Sequence, residues 1–179
     1  MRRMSYVKMS IVTALCIALC VVLPMAFHAI PGAAFILLPM HIPVLLCGLI
    51  CGWAFGLLAG IAGPLVSSLI TGMPPPFILP SMMVELGAYG LIAGLMMSLI
   101  KTKKIYADLY VSLIIAMLAG RIVAGLSMAF IFSQGEFSMA AWTTAYFITS
   151  FPGMLIQLAV LPSIVFALEK ARLIPRRYL

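Results

Sequence analysis

The chain has 179 residues, 65% hydrophobic and only 8% charged. Globular chains average about a quarter charged residues, and one this short leaves much of its surface wet, so no soluble fold hides this much apolar surface. Lipid is the environment the composition demands. At ~20 residues per helical span there is room for five or six spans with short connections, so a single transmembrane domain over 1–179 is expected.

The first apolar run gives a span at 8–27, preceded by Met1-Arg2-Arg3. It lacks a small-x-small cleavage site, and Leu15 and Leu19 stand just before Cys16 and Cys20, where signal processing or lipid attachment disfavours leucine. A retained first helix is expected. Ala14 and Ala18, four apart, suit close contact with another helix of this chain or of a partner. Cys16, Cys20, Cys47 and Cys51 form two pairs at helical spacing in apolar surroundings. That favours packing thiols over a thiolate metal site, and no disulfide is required.

Ile36 to Thr71 carries no charge to mark a turn. One helix of that length would reach ~54 Å, far beyond a ~30 Å hydrocarbon core. The chain is expected to fold back at Cys51-Gly52-Trp53, giving spans at 39–51 and 53–71. Gly48, Gly52, Gly56 and Gly60 recur every fourth residue, a packing signal, although Gly52 at the turn breaks the ridge. Gly72-Met73-Pro74-Pro75-Pro76 is a stiff connection. Pro31, Gly32 and Pro39 favour a defined loop over 28–39. Such loops either cover a pocket or merely end helices.

Spans follow at 79–100, 108–132 and 142–168. Arg2, Arg3 and Lys8 precede the first span, Lys101, Lys103 and Lys104 follow the fourth, and Lys170, Arg172, Arg176 and Arg177 follow the sixth. Six spans place all of these on one side, as the positive-inside rule requires, whereas five would put the lysine cluster and the arginine tail outside. The expectation is an all-α integral membrane protein, a six-helix bundle with both termini cytoplasmic. The +7 net charge is then met by anionic lipid headgroups and implies no nucleic-acid partner.

Two charges remain at membrane depth, Glu85 in the fourth span and Arg121 in the fifth, at heights differing by ~3 Å. Each is costly in lipid and is expected to pair or to line a cavity. Glu85 shares a helix face with Met82 and Tyr89. Arg121 shares one with Gly125, Met128 and Phe132, Gly125 making room beside the guanidinium. Tyr146, Ser150, Gly153 and Gln157 form a stripe on the sixth span. A mostly apolar lining with a few placed polar groups is what a small-ligand site looks like. His28 and His41, at the outer ends of the first and second spans, either contact a ligand from the lid side or are interfacial imidazoles with no binding role. Arg121 offers a fork for a carboxylate or phosphate, and Glu85 an acceptor. No phosphate loop, H-E-x-x-H or G-x-S-x-G is present, so neither an enzyme nor a resident metal or cofactor is expected.

Leu38-Pro39-Met40-His41-Ile42-Pro43-Val44 leading into the glycine-rich hairpin, Leu69-Ile70-Thr71-Gly72-Met73-Pro74-Pro75, and Met82-Met83-Val84-Glu85-Leu86 resemble the substrate-binding (S) subunits of energy-coupling factor (ECF) vitamin transporters, over nearly the whole chain. The resemblance implies a high-affinity binder in a bacterial inner membrane, with its ligand near the outer face. It also implies a transmembrane coupling subunit and two ATPase subunits as partners, and an A-x-x-x-A contact to the coupling subunit at Ala14 and Ala18. Nickel and cobalt members carry an amino-terminal Met-His motif, whereas this chain begins Met1-Arg2-Arg3. Pantothenate, a pyridoxine- or pyrimidine-type precursor, or a cobalamin building block remain open as cargo, with Glu85, Arg121, Tyr89, Gln157, Tyr146 and His41 as the candidate substrate-binding residues. The alternative is a small membrane scaffold in which a Glu85–Arg121 pair is structural. A channel or secondary carrier lacks the expected charge rings and inverted repeats.

Overall fold

The computed structural model describes residues 4–27, 36–132 and 138–174. His28, Pro31, Gly32, Arg2, Arg3, Arg176 and Arg177, all weighed above, lie outside them. Every element among the described residues is helical: α1 (Tyr6–Phe27), α2 (His41–Cys51), α3 (Trp53–Thr71), α4 (Leu79–Leu99), α5 (Ile105–Ser127), α6 (Met139–Thr143) and α7 (Phe151–Lys170). Wider π-helical turns extend α5 over Met128–Phe132 and follow α6 over Thr144–Thr149. Among the described residues, five helices are long and apolar enough to cross a membrane. The exception among the apolar helices, α2, has 11 residues and buries eight of them. At ~1.5 Å per residue it covers about half a hydrocarbon core, and it serves as the packed centre of the bundle.

The turn between α2 and α3 is made at Gly52, whose φ of 93° is a conformation that only glycine adopts freely. At the other end of α3, Gly72 takes the left-handed conformation (φ 74°) and its N–H closes on the Ser68 carbonyl. The proline loop that follows is tied back by Ser67 Oγ to the Met73 carbonyl and Ser68 Oγ to the Pro74 carbonyl, both at 2.7 Å. Pro80 then opens α4 at a position where its missing N–H costs nothing. Between α4 and α5, buried Asp108 accepts from the Thr102 N–H (2.8 Å) and hydroxyl (2.7 Å), a carboxylate placed where the start of α5 favours negative charge.

Helices α2, α3 and α4 meet backbone to backbone. A Cβ added at Gly48 or Gly56 would strike the Gly90 carbonyl, one at Gly60 the Leu86 carbonyl, and one at Gly94 the Trp53 amide. The glycine series visible in the sequence of α2 and α3 thus has its counterpart on α4. Helix α1 lies against α2 and α3 through Thr13, Cys16, Cys20 and Val21. Its thiol contacts bracket the length of α2, with Cys51 Sγ donating to the Met9 carbonyl and Cys20 Sγ to the Met40 carbonyl, each at 3.8 Å. The four cysteines are free and buried, filling the seams between these helices.

These contacts fix which ends lie together. Met9 neighbours Cys51, Trp53 neighbours Gly94, Met97 neighbours Ser112, and the Tyr106 ring stacks near Phe166. Lys8, Lys101, Lys103, Lys104, Lys170 and Arg172 therefore gather at one end of the bundle. His41 and Glu85 lie toward the opposite end, near the starts of α2 and α4.

The region expected as one span over 142–168 is interrupted. Helix begins at Met139, widens into the π turn, and breaks at Ser150, whose N–H turns to the Ile148 carbonyl. Helix α7 restarts at Phe151 with Pro152 in its first turn. Proline removes an amide that a continuous helix would need, so the break is written into the sequence two residues past Ser150.

Candidate functional site

The break in the last span exposes backbone acceptors in an apolar setting, where each unsatisfied group costs several kcal/mol. Arg121 supplies the donors. Its Nε donates to the Tyr146 carbonyl at 2.7 Å, its Nη2 to Ser150 Oγ at 3.2 Å, and its Nη1 to the Met117 carbonyl one turn back on α5 at 3.2 Å. Ser150 Oγ in turn donates to the Tyr146 carbonyl at 2.6 Å. The guanidinium is 1% exposed, with its carbon 5.9 Å from the ring centroids of both Tyr89 and Phe147, an arrangement favoured for a desolvated cation.

Glu85 sits across from it without touching it. One carboxylate oxygen accepts from Tyr146 Oη at 3.1 Å, and the other lies 3.2 Å from His41 Nε2. A carboxylate only accepts, so Nε2 carries the hydrogen. The Glu85–Arg121 ion pair on which the scaffold alternative rested is not formed among the described residues: Glu85 faces His41 Nε2 and the Tyr146 hydroxyl instead. Tyr146 joins the two charges, its hydroxyl on the acid and its carbonyl on the base. Helical spacing does not predict that bridge, because it requires the π turn that carries Tyr146.

Aromatic rings surround the network. Tyr89 stands edge-on to His41 with centroids 4.9 Å apart and lies on Gly120, where a Cβ would come within 3.0 Å of its ring. The space at Gly125, expected to accommodate the guanidinium, is instead occupied by the indole of Trp142. Trp142 is 6.1 Å from the Tyr146 ring and 5.4 Å from Phe147. The end of the loop preceding α2 reaches the same region, with the Ile36 and Leu37 carbonyls against Gly153.

Four of the six candidate binding residues, His41, Glu85, Arg121 and Tyr146, are linked by hydrogen bonds, and Tyr89 joins them through ring contacts. Gln157 is buried on α7 but makes none of these hydrogen bonds. Ser150, Trp142 and Phe147 belong to the site and were not singled out as candidates. Ser150 was visible on the stripe with Tyr146, and Trp142 precedes Tyr146 by one helical turn, so spacing alone would have found both. Among the described residues, His41 Nδ1, Tyr89 Oη, Trp142 Nε1 and Gln157 Nε2 are buried without a hydrogen-bond partner. Buried polar atoms are nearly always paired, and three of these four orphans, on His41, Tyr89 and Trp142, stand in or beside the network. No group of three or more His, Cys, Asp or Glu among the described residues has the arrangement to hold a metal ion. An apolar groove of about 520 Å³ runs between α3 and α4, lined by Leu57, Ile61, Met83, Gly87 and Leu91 among others; none of the network residues borders it.

Ala14 and Ala18 lie on the outward face of α1, exposed alongside Ile11, Leu15 and Val22. They make no seam with the other described helices, so contact with a partner is the open half of the earlier alternative.

An all-helical bundle with membrane-length apolar helices and a buried polar network defines a multi-pass membrane protein. The family model for the substrate-specific component of ECF transporters matches residues 8–174. The chain belongs to that family, whose members are transport proteins. No curated protein and no solved structure matches the chain significantly.

Proposed function

We propose that this chain captures a small vitamin or vitamin precursor at the outer face of a bacterial inner membrane, for uptake driven by a transmembrane coupling subunit and two ATPase subunits. Pantothenate-like, pyridoxine- or pyrimidine-like and cobalamin-building-block compounds are the candidate cargoes. The binding residues are Glu85, Arg121, Tyr89, Tyr146 and His41, with Gln157 deeper on α7. Trp142 and Ser150 complete the set. The observation that carries this reading is the cluster of buried, unpartnered polar atoms around a charged network, set between aromatic rings.

In this reading the chain is one membrane domain of six spans, α6 and α7 forming the sixth across the break at Ser150. Both termini are cytoplasmic. The gathering of the described lysines and Arg172 at one end supports that orientation, and it puts His41 and Glu85 in the outer half. Helix α2 reaches the outer surface only together with the segment before it.

Mass spectrometry of small molecules released from the purified protein tests the proposal directly. A stoichiometric compound of vitamin type is expected. Protein that arrives empty, and stays empty after exposure to a bacterial metabolite extract, would refute a receptor function.

A further inference from the structure

The residues proposed to bind cargo are closed in. His41, Glu85, Tyr89, Arg121 and Ser150 are all buried, so a solute reaches them only when a bordering element moves aside. Burial separates those elements sharply. Helix α2 buries eight residues, α4 eight, α5 eleven and α7 five. The segment 139–149, made of α6 and the π turn after it, buries none. The element with the least buried packing opens at the lowest free energy. The residues leading into α2 border the same region, but the Ile36 carbonyl lies against the backbone of Gly153 on α7, where an added Cβ would strike it.

Side-chain contacts hold 139–149 over the network. The Tyr146 carbonyl accepts from Arg121 Nε, and the Tyr146 hydroxyl donates to Glu85. The Trp142 indole fills the notch at Gly125, where a Cβ would come within 2.6 Å of the ring. Trp142 is the one residue of α6 that is not exposed. Its N–H is buried without a partner, so the indole is held by packing alone. The joint to α7 is equally distinct. Ser150 leaves the helical conformation (φ −87°, ψ 2°), and Pro152 has no N–H to return to the Ile148 carbonyl four residues back. A swing about Ser150 releases Tyr146 and Trp142, while Arg121 keeps its bonds to Ser150 and to the Met117 carbonyl of its own helix.

We infer, on the basis of the receptor reading above, that 139–149 is the lid of the cargo site, hinged at Ser150 and latched by the Trp142 indole in the Gly125 notch. Opening uncovers Glu85 and Arg121. Closing returns the Tyr146 and Trp142 rings over the molecule that has entered and sequesters it, as lids over binding sites do.

Hydrogen exchange of the full chain in lipid nanodiscs, read peptide by peptide with mass spectrometry, tests the lid before any cargo is identified. In the unloaded protein the amides of 139–149 are expected to exchange faster than those of α4, α5 and α7. Equal protection overturns the inference. Trp142→Ala removes the latch, and Gly125→Ala pushes the indole out of its notch. Either is expected to speed exchange in 139–149 about tenfold or more, roughly what one aromatic packing contact is worth, with α4 and α7 unchanged. No change in 139–149, or faster exchange throughout the bundle as for an anchor of the fold, overturns the lid. The same proteins are then loaded from a bacterial metabolite extract. The captured compound is expected to slow exchange in 139–149 and to leave both variants about tenfold faster than the parent. Capture that alters neither exchange in the segment nor release from the variants overturns the lid while leaving the receptor reading in place. Capture of nothing by the parent overturns both.

Discussion

Arg121 has two employments, and they make opposite demands on an experiment. From sequence it is a lone cation at membrane depth, for which ligand binding is the natural reading. In the structure it also holds the broken last span together, donating to the Tyr146 carbonyl and to Ser150 across the break. Arg121→Ala is therefore expected to lower stability as well as binding. The substitution removes the charge-assisted hydrogen bonds to the Tyr146 and Met117 carbonyls and to Ser150, of which a single one to a charged group is worth about 1.5–3 kcal/mol. Thermal unfolding in detergent checks this, and a variant as stable as the parent would show that the break does not depend on the guanidinium. Tyr146→Phe is milder. It removes the hydrogen bond to Glu85 and leaves the carbonyl contact to Arg121 intact, so the expected cost is about 1–3 kcal/mol. At this scale the sequence was informative about which buried polar residues gather in one place and silent on how they connect. Depth and helical spacing selected Glu85, Tyr89, Arg121 and Tyr146 without any structure. The partnership of Glu85 with His41 was not legible, because it joins residues 44 apart in sequence across two helices whose relative rotation no periodicity records.

Among the helices, legibility followed the strength of the local signal. The fold-back at Gly52 was forced by length alone, since no uninterrupted helix of that extent fits a bilayer. The helix expected over 53–71 is helical over Trp53–Thr71. The last span was read as continuous because its hydropathy is continuous; Pro152 was the contrary signal, and a proline near the middle of an apolar run is easily discounted in membrane helices. The glycine series was read correctly as packing, but its partner on α4 was not identified. That partner gives a contrast between neighbouring glycines. At Gly90 an added Cβ meets the Gly56 backbone, which cannot yield without moving α3, whereas at Gly87 it meets only the ends of Leu57 and Ile61, at 3.3 and 3.4 Å. Gly90→Ala is expected to destabilise by about 1–3 kcal/mol, the cost of overpacking, and Gly87→Ala to leave stability nearly unchanged. Equal effects in thermal unfolding would mean that α3 and α4 are not in backbone contact.

For the molecule as a whole, the proposed function raises the question of how a binding site in the outer half would communicate with a partner that takes the cargo inward. Helix α1 is the element placed to do so. Its inner face is held to α2 at both ends by Cys51–Met9 and Cys20–Met40 contacts, and Met40 immediately precedes His41, the partner of Glu85. Its outer face, with Ala14 and Ala18 between Ile11, Leu15 and Val22, has no neighbour among the described residues. Small residues at four-residue spacing let a second helix approach closely, and in lipid that closeness supplies most of the association energy. Ala14→Leu and Ala18→Leu add bulk to this face without entering the bundle, so ligand binding and thermal stability are expected to stay at parental values. Uptake in cells carrying the complete transporter is expected to fall at least about tenfold, because loss of ~1.4 kcal/mol at the helix–helix contact already reduces complex formation by that factor. Co-purification of the coupling subunit should fall in parallel. Reduced ligand binding would place these alanines in the wrong role. Normal uptake would mean that the coupling subunit docks on a different face, the remaining large apolar surface near α1 being that of α3.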